Sequence, residues 1–162
     1  MKRRTLTAAG AVGVLALVSG AAHIGEGTTA AAQACSPTDA LMLARETSRV
    51  VNAARQQARL RALTPDTDVT RLAQERAENP SLRQREPILQ ALSVRNHKVS
   101  ESKAVEVVVL RSGVLCPFDV AAVVAPDPRV QLLVRGEYTH LAVGASADGT
   151  GGLTLVLVAR RV

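Results

Sequence analysis

Small and apolar positions recur at three- and four-residue spacing at Leu43, Thr47, Val50, Val51, Ala54 and Ala58, while Arg45, Glu46, Arg49, Arg55, Gln56 and Arg59 occupy the other faces. That period predicts a long amphipathic helix running to about Leu60. Ser36 is placed to cap it, Pro37 fits the first helical position, and Asp39 sets a carboxylate against the positive end of the helix dipole. Pro65 and Asp66 then predict a turn. Asp68 is expected to cap a second helix through Val69, Leu72, Ala73 and Ala77, which stops at Asn79-Pro80 because proline steers the residue before it out of the helical region. A third, shorter helical stretch is expected over residues 87–92.

Residues 94–103 are polar and unpatterned, after which Ala-Val-Glu-Val-Val-Val-Leu at 104–110 has the β-branched character of a strand, ended by Ser112-Gly113. Residues 117–124 predict a small apolar helix, Pro126-Asp127-Pro128 a break and cap, and residues 129–134 a further helix or turn. "HLAVGASA" (140–147) and "LTLVLVARR" (153–161) predict two strands joined by the hairpin connection Asp148-Gly149-Thr150-Gly151-Gly152. Helices thus precede a terminal antiparallel pair, which predicts an α+β class with helices packed on a small antiparallel sheet. No internal repeat is present.

The N-terminus has a different pattern. Lys2-Arg3-Arg4 precede an uncharged apolar run over residues 6–22 that ends in Gly-Ala-Ala, the plan of a secretory signal peptide. Its glycines and short length fit a retained membrane anchor less well, and no integral span is expected once the signal is removed. The predicted organisation is a signal over 1–22, a flexible Ala- and Thr-rich leader over 23–34, and one domain over 35–162. The expected location is therefore outside the cell.

Composition then narrows the partners. The formal charge of +6 comes from 20 Lys and Arg against 14 Asp and Glu, and loss of the three basic signal residues would leave 17 against 14, or +3. With one Phe (Phe118), one Tyr (Tyr138), no Trp and no long basic run, bases would find almost nothing to stack on, so no nucleic-acid partner is expected. The core must be built from Val, Leu and Ala. Cys35 and Cys116, in an exported chain, are expected to form one disulfide, worth roughly 4 kcal/mol in the chain-entropy treatment of a loop of that length. Ala32-Gln33-Ala34-Cys35 faintly matches a lipoprotein site, but it stands about a dozen residues past the apolar run.

"VVNAARQQARLRALTPDTDVTRLAQERA" (50–77) resembles the opening of secreted bacterial domains of the CAP superfamily, relatives of cysteine-rich secretory, antigen-5 and plant pathogenesis-related proteins. Val51-Asn52 and Arg55 are similar to its Leu-Asn-x-x-Arg, with Leu63, Asp66, Val69 and Ala73 following in its pattern. "DPRVQLLVRGEYTHLAVG" (127–144) resembles its Ser-Pro-Gly-His-Arg helix and Gly-Val-Gly strand. The resemblance implies an α-β-α sandwich and a cleft in which two histidines and two acidic residues can hold a divalent ion. Arg129 stands where the helix histidine belongs, and a guanidinium cannot ligate a cation. Glu106 resembles the glutamate of the family's Gly-Glu-Asn motif, although Val105 replaces its Gly and Val107 its Asn.

From that alignment Arg129 would face Glu106, an ion pair standing where the metal would sit, and no metal or other cofactor is expected. His97, nine residues before Glu106, is the candidate for the other cleft histidine, against the plainer reading of an exposed loop residue. His140 reads as a strand-start residue outside the cleft. Ser100 and Ser102, near Glu101, lack the elbow a nucleophile needs. The arginines from 45 to 61 read as a solvated face open to acidic polymers or anionic lipid. The leading expectation is a secreted, non-catalytic domain that binds a protein, cell-wall or lipid partner. The alternatives are a hydrolase built on His97 and Glu106, and an apolar-lipid or sterol binder.

Overall fold

A two-residue strand, β1 (Gln33–Ala34), leads into the long helix α1 (Pro37–Gln57). The computed structural model describes residues 32–94 and 104–162, which belong to a single unit. The proposed signal and nearly all of the leader lie outside the described residues. The last residues assigned to the leader do not: Gln33 and Ala34 pair with Cys116 and Leu115.

Ser36 and Asp39 cap α1 reciprocally: the Ser36 hydroxyl accepts from the Asp39 N–H at 3.2 Å and the Asp39 carboxylate accepts from the Ser36 N–H at 2.7 Å. The helix ends at Gln57, short of Leu60, because Arg59 turns the chain with a positive φ of 58° and the Leu60 N–H reaches back to the Arg55 carbonyl at 2.8 Å. Instead of a turn, Thr64–Pro65 forms the short strand β2, and α2 (Thr67–Glu78) follows. Its cap is Asp66, whose carboxylate accepts from the Val69 N–H, while Asp68 sits in the first turn. Asn79 ends α2 and also caps α3 (Pro80–Arg85), a helix the pattern did not predict; α4 (Ile88–Val94) comes next.

The second half contains β3 (Ala104–Arg111), β4 (Leu115–Cys116), α5 (Val120–Val124), α6 (Pro128–Arg135), β5 (His140–Ala147) and β6 (Leu153–Arg160). Asp119 caps α5, which therefore starts later than residue 117, and Asp127 caps α6. The main sheet has the order β2-β5-β6-β3, so β6 is central and the hairpin is extended on both sides. β2 runs parallel to β5, and the other pairs are antiparallel. β1 and β4 form a separate ribbon beside the disulfide joining Cys35 to Cys116.

Alternation of side chains sorts the sheet into two buried faces. Val107, Val109, Leu141, Val143, Leu155 and Leu157 pack in one cluster with α1, α5 and α6. Ala142, Val156 and Val158 pack in the other with Val69, Leu72 and Ala73 of α2 and with Ala91 and Leu92 of α4. The result is three layers, helices on both sides of a mixed sheet, which is why β6 reads as a nearly unbroken apolar run. On the α2 face the approach is close. A Cβ added to Gly144 would lie 2.3 Å from the Ala73 carbonyl, so only glycine lets α2 lie against β5 there.

Candidate functional site

Among the described residues, three arginines reach into the protein, each positioned by a different element. Arg76, near the end of α2, is only 1% exposed and grips Glu106 of β3 with two bonds, Nε to Oε1 at 2.8 Å and Nη2 to Oε2 at 2.7 Å. This is the fork-to-fork geometry that makes Arg–carboxylate pairs strong. Its remaining nitrogen, Nη1, has no hydrogen-bond partner among the described residues. Arg160, at the end of β6, holds Asp66 in the same bidentate way at 2.5 and 3.1 Å, so that carboxylate both caps α2 and ties it to the sheet.

Arg55 is also buried, not on the solvated face expected for it. Its Nε donates to the Arg61 carbonyl at 2.8 Å, and its Nη1 to the Val134 and Gly136 carbonyls at 2.7 and 3.0 Å. It joins the end of α1 to the carbonyl-rich end of α6, where a cation is favoured. Burial lowers its pKa from the usual arginine value.

The structure does not bring Arg129 to Glu106. Glu106 points with Val108 toward α2, whereas α6 packs with Val107 and Val109 on the opposite face. Arg129 folds back on Asp127, the cap of its own helix, at 2.8 Å, with its side chain 55% exposed. Hydrogen bonding from Arg129 is the main influence holding the Asp127 carboxyl below the usual range. His97, with Ser100, Glu101 and Ser102, lies outside the described residues. His140 starts β5, and its Nδ1 lies 2.8 Å from the Thr139 hydroxyl. Among the described residues no group of three or more His, Cys, Asp or Glu could hold a metal, and no helix is long and apolar enough to cross a membrane.

A groove of about 570 Å³ opens where α1 and α2 diverge over the edge of β5. Strand β2 covers that edge only at His140 and Leu141. Further along, the Gln74 side chain acts as a substitute strand: its amide donates to the Ala145 carbonyl at 2.7 Å and accepts from the Ala145 N–H at 3.0 Å. Between these two covers, the two-residue alternation turns the N–H and C=O of Val143 to the groove. Leu41 and Arg45 of α1 face Thr70 and Arg71 of α2 across it.

Sequence reasoning missed Arg76 and Gln74. Arg76 did leave a signal, since it falls in the apolar stripe of Val69, Leu72, Ala73 and Ala77, where a charge needs a buried partner. Gln74 left none. Compared with protein-family models, with curated proteins and with solved structures, the chain matches none.

Proposed function

We propose that this chain is an exported, CAP-like domain that binds a partner and carries out no chemistry of its own. The observation that carries the proposal is the Arg76–Glu106 pair: the carboxylate that the resemblance nominates as a metal ligand or general base already has both oxygens committed to a guanidinium. Asp66 is committed in the same way to Arg160. The three-layer arrangement supports the CAP-like reading, and the basic and apolar N-terminal run together with the Cys35–Cys116 bond supports export. Here the guanidinium that replaces the ion is Arg76, supplied by α2, and not Arg129.

The test is zinc calorimetry together with fluorogenic peptide and ester assays on the full chain, with Glu106→Gln and His97→Ala in parallel. The expected result is no stoichiometric zinc heat and no turnover above buffer for any of the three. Turnover abolished by His97→Ala, or zinc binding abolished by Glu106→Gln, would overturn the proposal.

A further inference from the structure

The groove over β5 presents an unusual combination: one backbone N–H and one backbone C=O of the same residue, with a guanidinium on each wall. Open strand edges are templates for another extended chain, because their polar groups require partners that apolar ligands cannot supply. The molecule already shows what fits beside Val143. The planar Gln74 carboxamide lies on the next outward-facing residue of the same edge and bonds to both Ala145 groups, its NH2 also donating to Glu78. A peptide unit offers the same planar pairing of an N–H donor and a carbonyl acceptor.

The covers on either side set the length. Asp66 makes the last bond on that side, its N–H donating to the Leu141 carbonyl at 2.9 Å before the chain turns into α2 at Thr67, and Gln74 closes the edge two residues beyond Val143. One residue of a guest chain can therefore exchange two hydrogen bonds with Val143, with its neighbours lying over Leu41, Ala44 and Leu141. The walls set the charge. Arg45 is exposed, and Arg71 is 83% exposed with a long 3.6 Å contact to Glu75, so both can swing toward a carboxylate on the guest.

We propose that this groove takes an extended, acidic segment of a partner protein, its backbone bonded to Val143 and its carboxylate shared by Arg45 and Arg71. The proposal deepens the binding-domain reading, on which it rests, by giving that reading a surface and a ligand class. A fatty acid would satisfy the arginines but would leave both Val143 groups without partners.

The test is a titration of the 15N-labelled full chain with acetyl-Ala-Ala-Glu-Ala-Ala-amide, the same peptide carrying Gln for Glu, and decanoate. The expected result is saturable movement of the Val143 amide and of the Arg45 and Arg71 Nε–H signals with the Glu peptide, and affinity about threefold or more weaker with the Gln peptide, as loss of two exposed ion pairs allows. The Arg45→Gln/Arg71→Gln variant, altered only at exposed positions, should remain folded and bind the two peptides alike. The proposal is overturned if the Val143 amide does not move, if both peptides bind the unaltered chain equally, or if decanoate moves Val143 and neither peptide does. A silent Val143 with silent zinc and hydrolysis assays removes the groove alone, whereas turnover removes the binding-domain reading whatever Val143 does.

Discussion

Arg76 and Glu106 come from α2 and β3, thirty residues apart, and meet through two parallel hydrogen bonds inside the layer between α2 and the sheet. Glu106 is 13% exposed at its side chain and Arg76 1%, so water does little to screen the pair. Removing one partner strands the other. Glu106→Ala should cost about 3–5 kcal/mol in urea unfolding, because it leaves a buried guanidinium unpaired. Replacing both residues with apolar side chains of similar size should recover most of that loss.

Gly144 should tolerate no side chain. The added methyl of Gly144→Ala would overlap the Ala73 carbonyl and Gln74 N–H, which belong to helix backbone and cannot rotate away. We expect a loss of about 1–3 kcal/mol, toward the upper end, together with broadened amide signals at Ala145, whose partner Gln74 would be displaced. An unchanged melting temperature would mean that α2 lies farther from β5 than described.

Asp127 should give α6 an acid-sensitive cap. Its carboxylate accepts from the Arg129 N–H at 2.9 Å and from the Arg129 guanidinium, which together lower its pKa. A group lowered in the folded state stabilises above its unfolded value, and that stability fades as pH falls through the folded value. Asp127→Ala should cost about 1 kcal/mol at neutral pH, as loss of a cap does. Asp127→Asn keeps a capping oxygen, so its difference from the unaltered chain should be small at pH 7 and shrink further below about pH 4.

Reduction of the Cys35–Cys116 bond should lower stability by about 4 kcal/mol, given the 81 residues between the cysteines. It should also release β1 first, since Gln33–Ala34 contacts the rest of the fold through β4, next to the bond. Hydrogen exchange at Ala34 before and after reduction checks this.

What could be read from the sequence followed from local physics. α1 is visible as a 3.6-residue period with its Ser36 cap, α2 as the same period although its cap is Asp66 and not Asp68, and β3, β5 and β6 as β-branched runs with a glycine-rich hairpin. α3 buries no residue and so leaves no apolar period, and Pro80, which signals the stop of α2, is after Asn79 equally a first helical residue. β2 has two residues and therefore no period to detect. The candidate site was less legible: Glu106 was singled out, but its partner depended on which sheet face each helix covers, a relationship with no local trace. The groove is further still from the sequence, because it exists only where β2 stops and Gln74 begins on one edge of β5.

A double-mutant cycle in urea decides which arginine Glu106 is coupled to. Arg76 and Glu106, truncated singly and together, should show a coupling energy of about 1.5 kcal/mol or more, and Arg129 with Glu106 one within about 0.5 kcal/mol of zero. Substantial coupling of Glu106 to Arg129, with little to Arg76, would contradict the account.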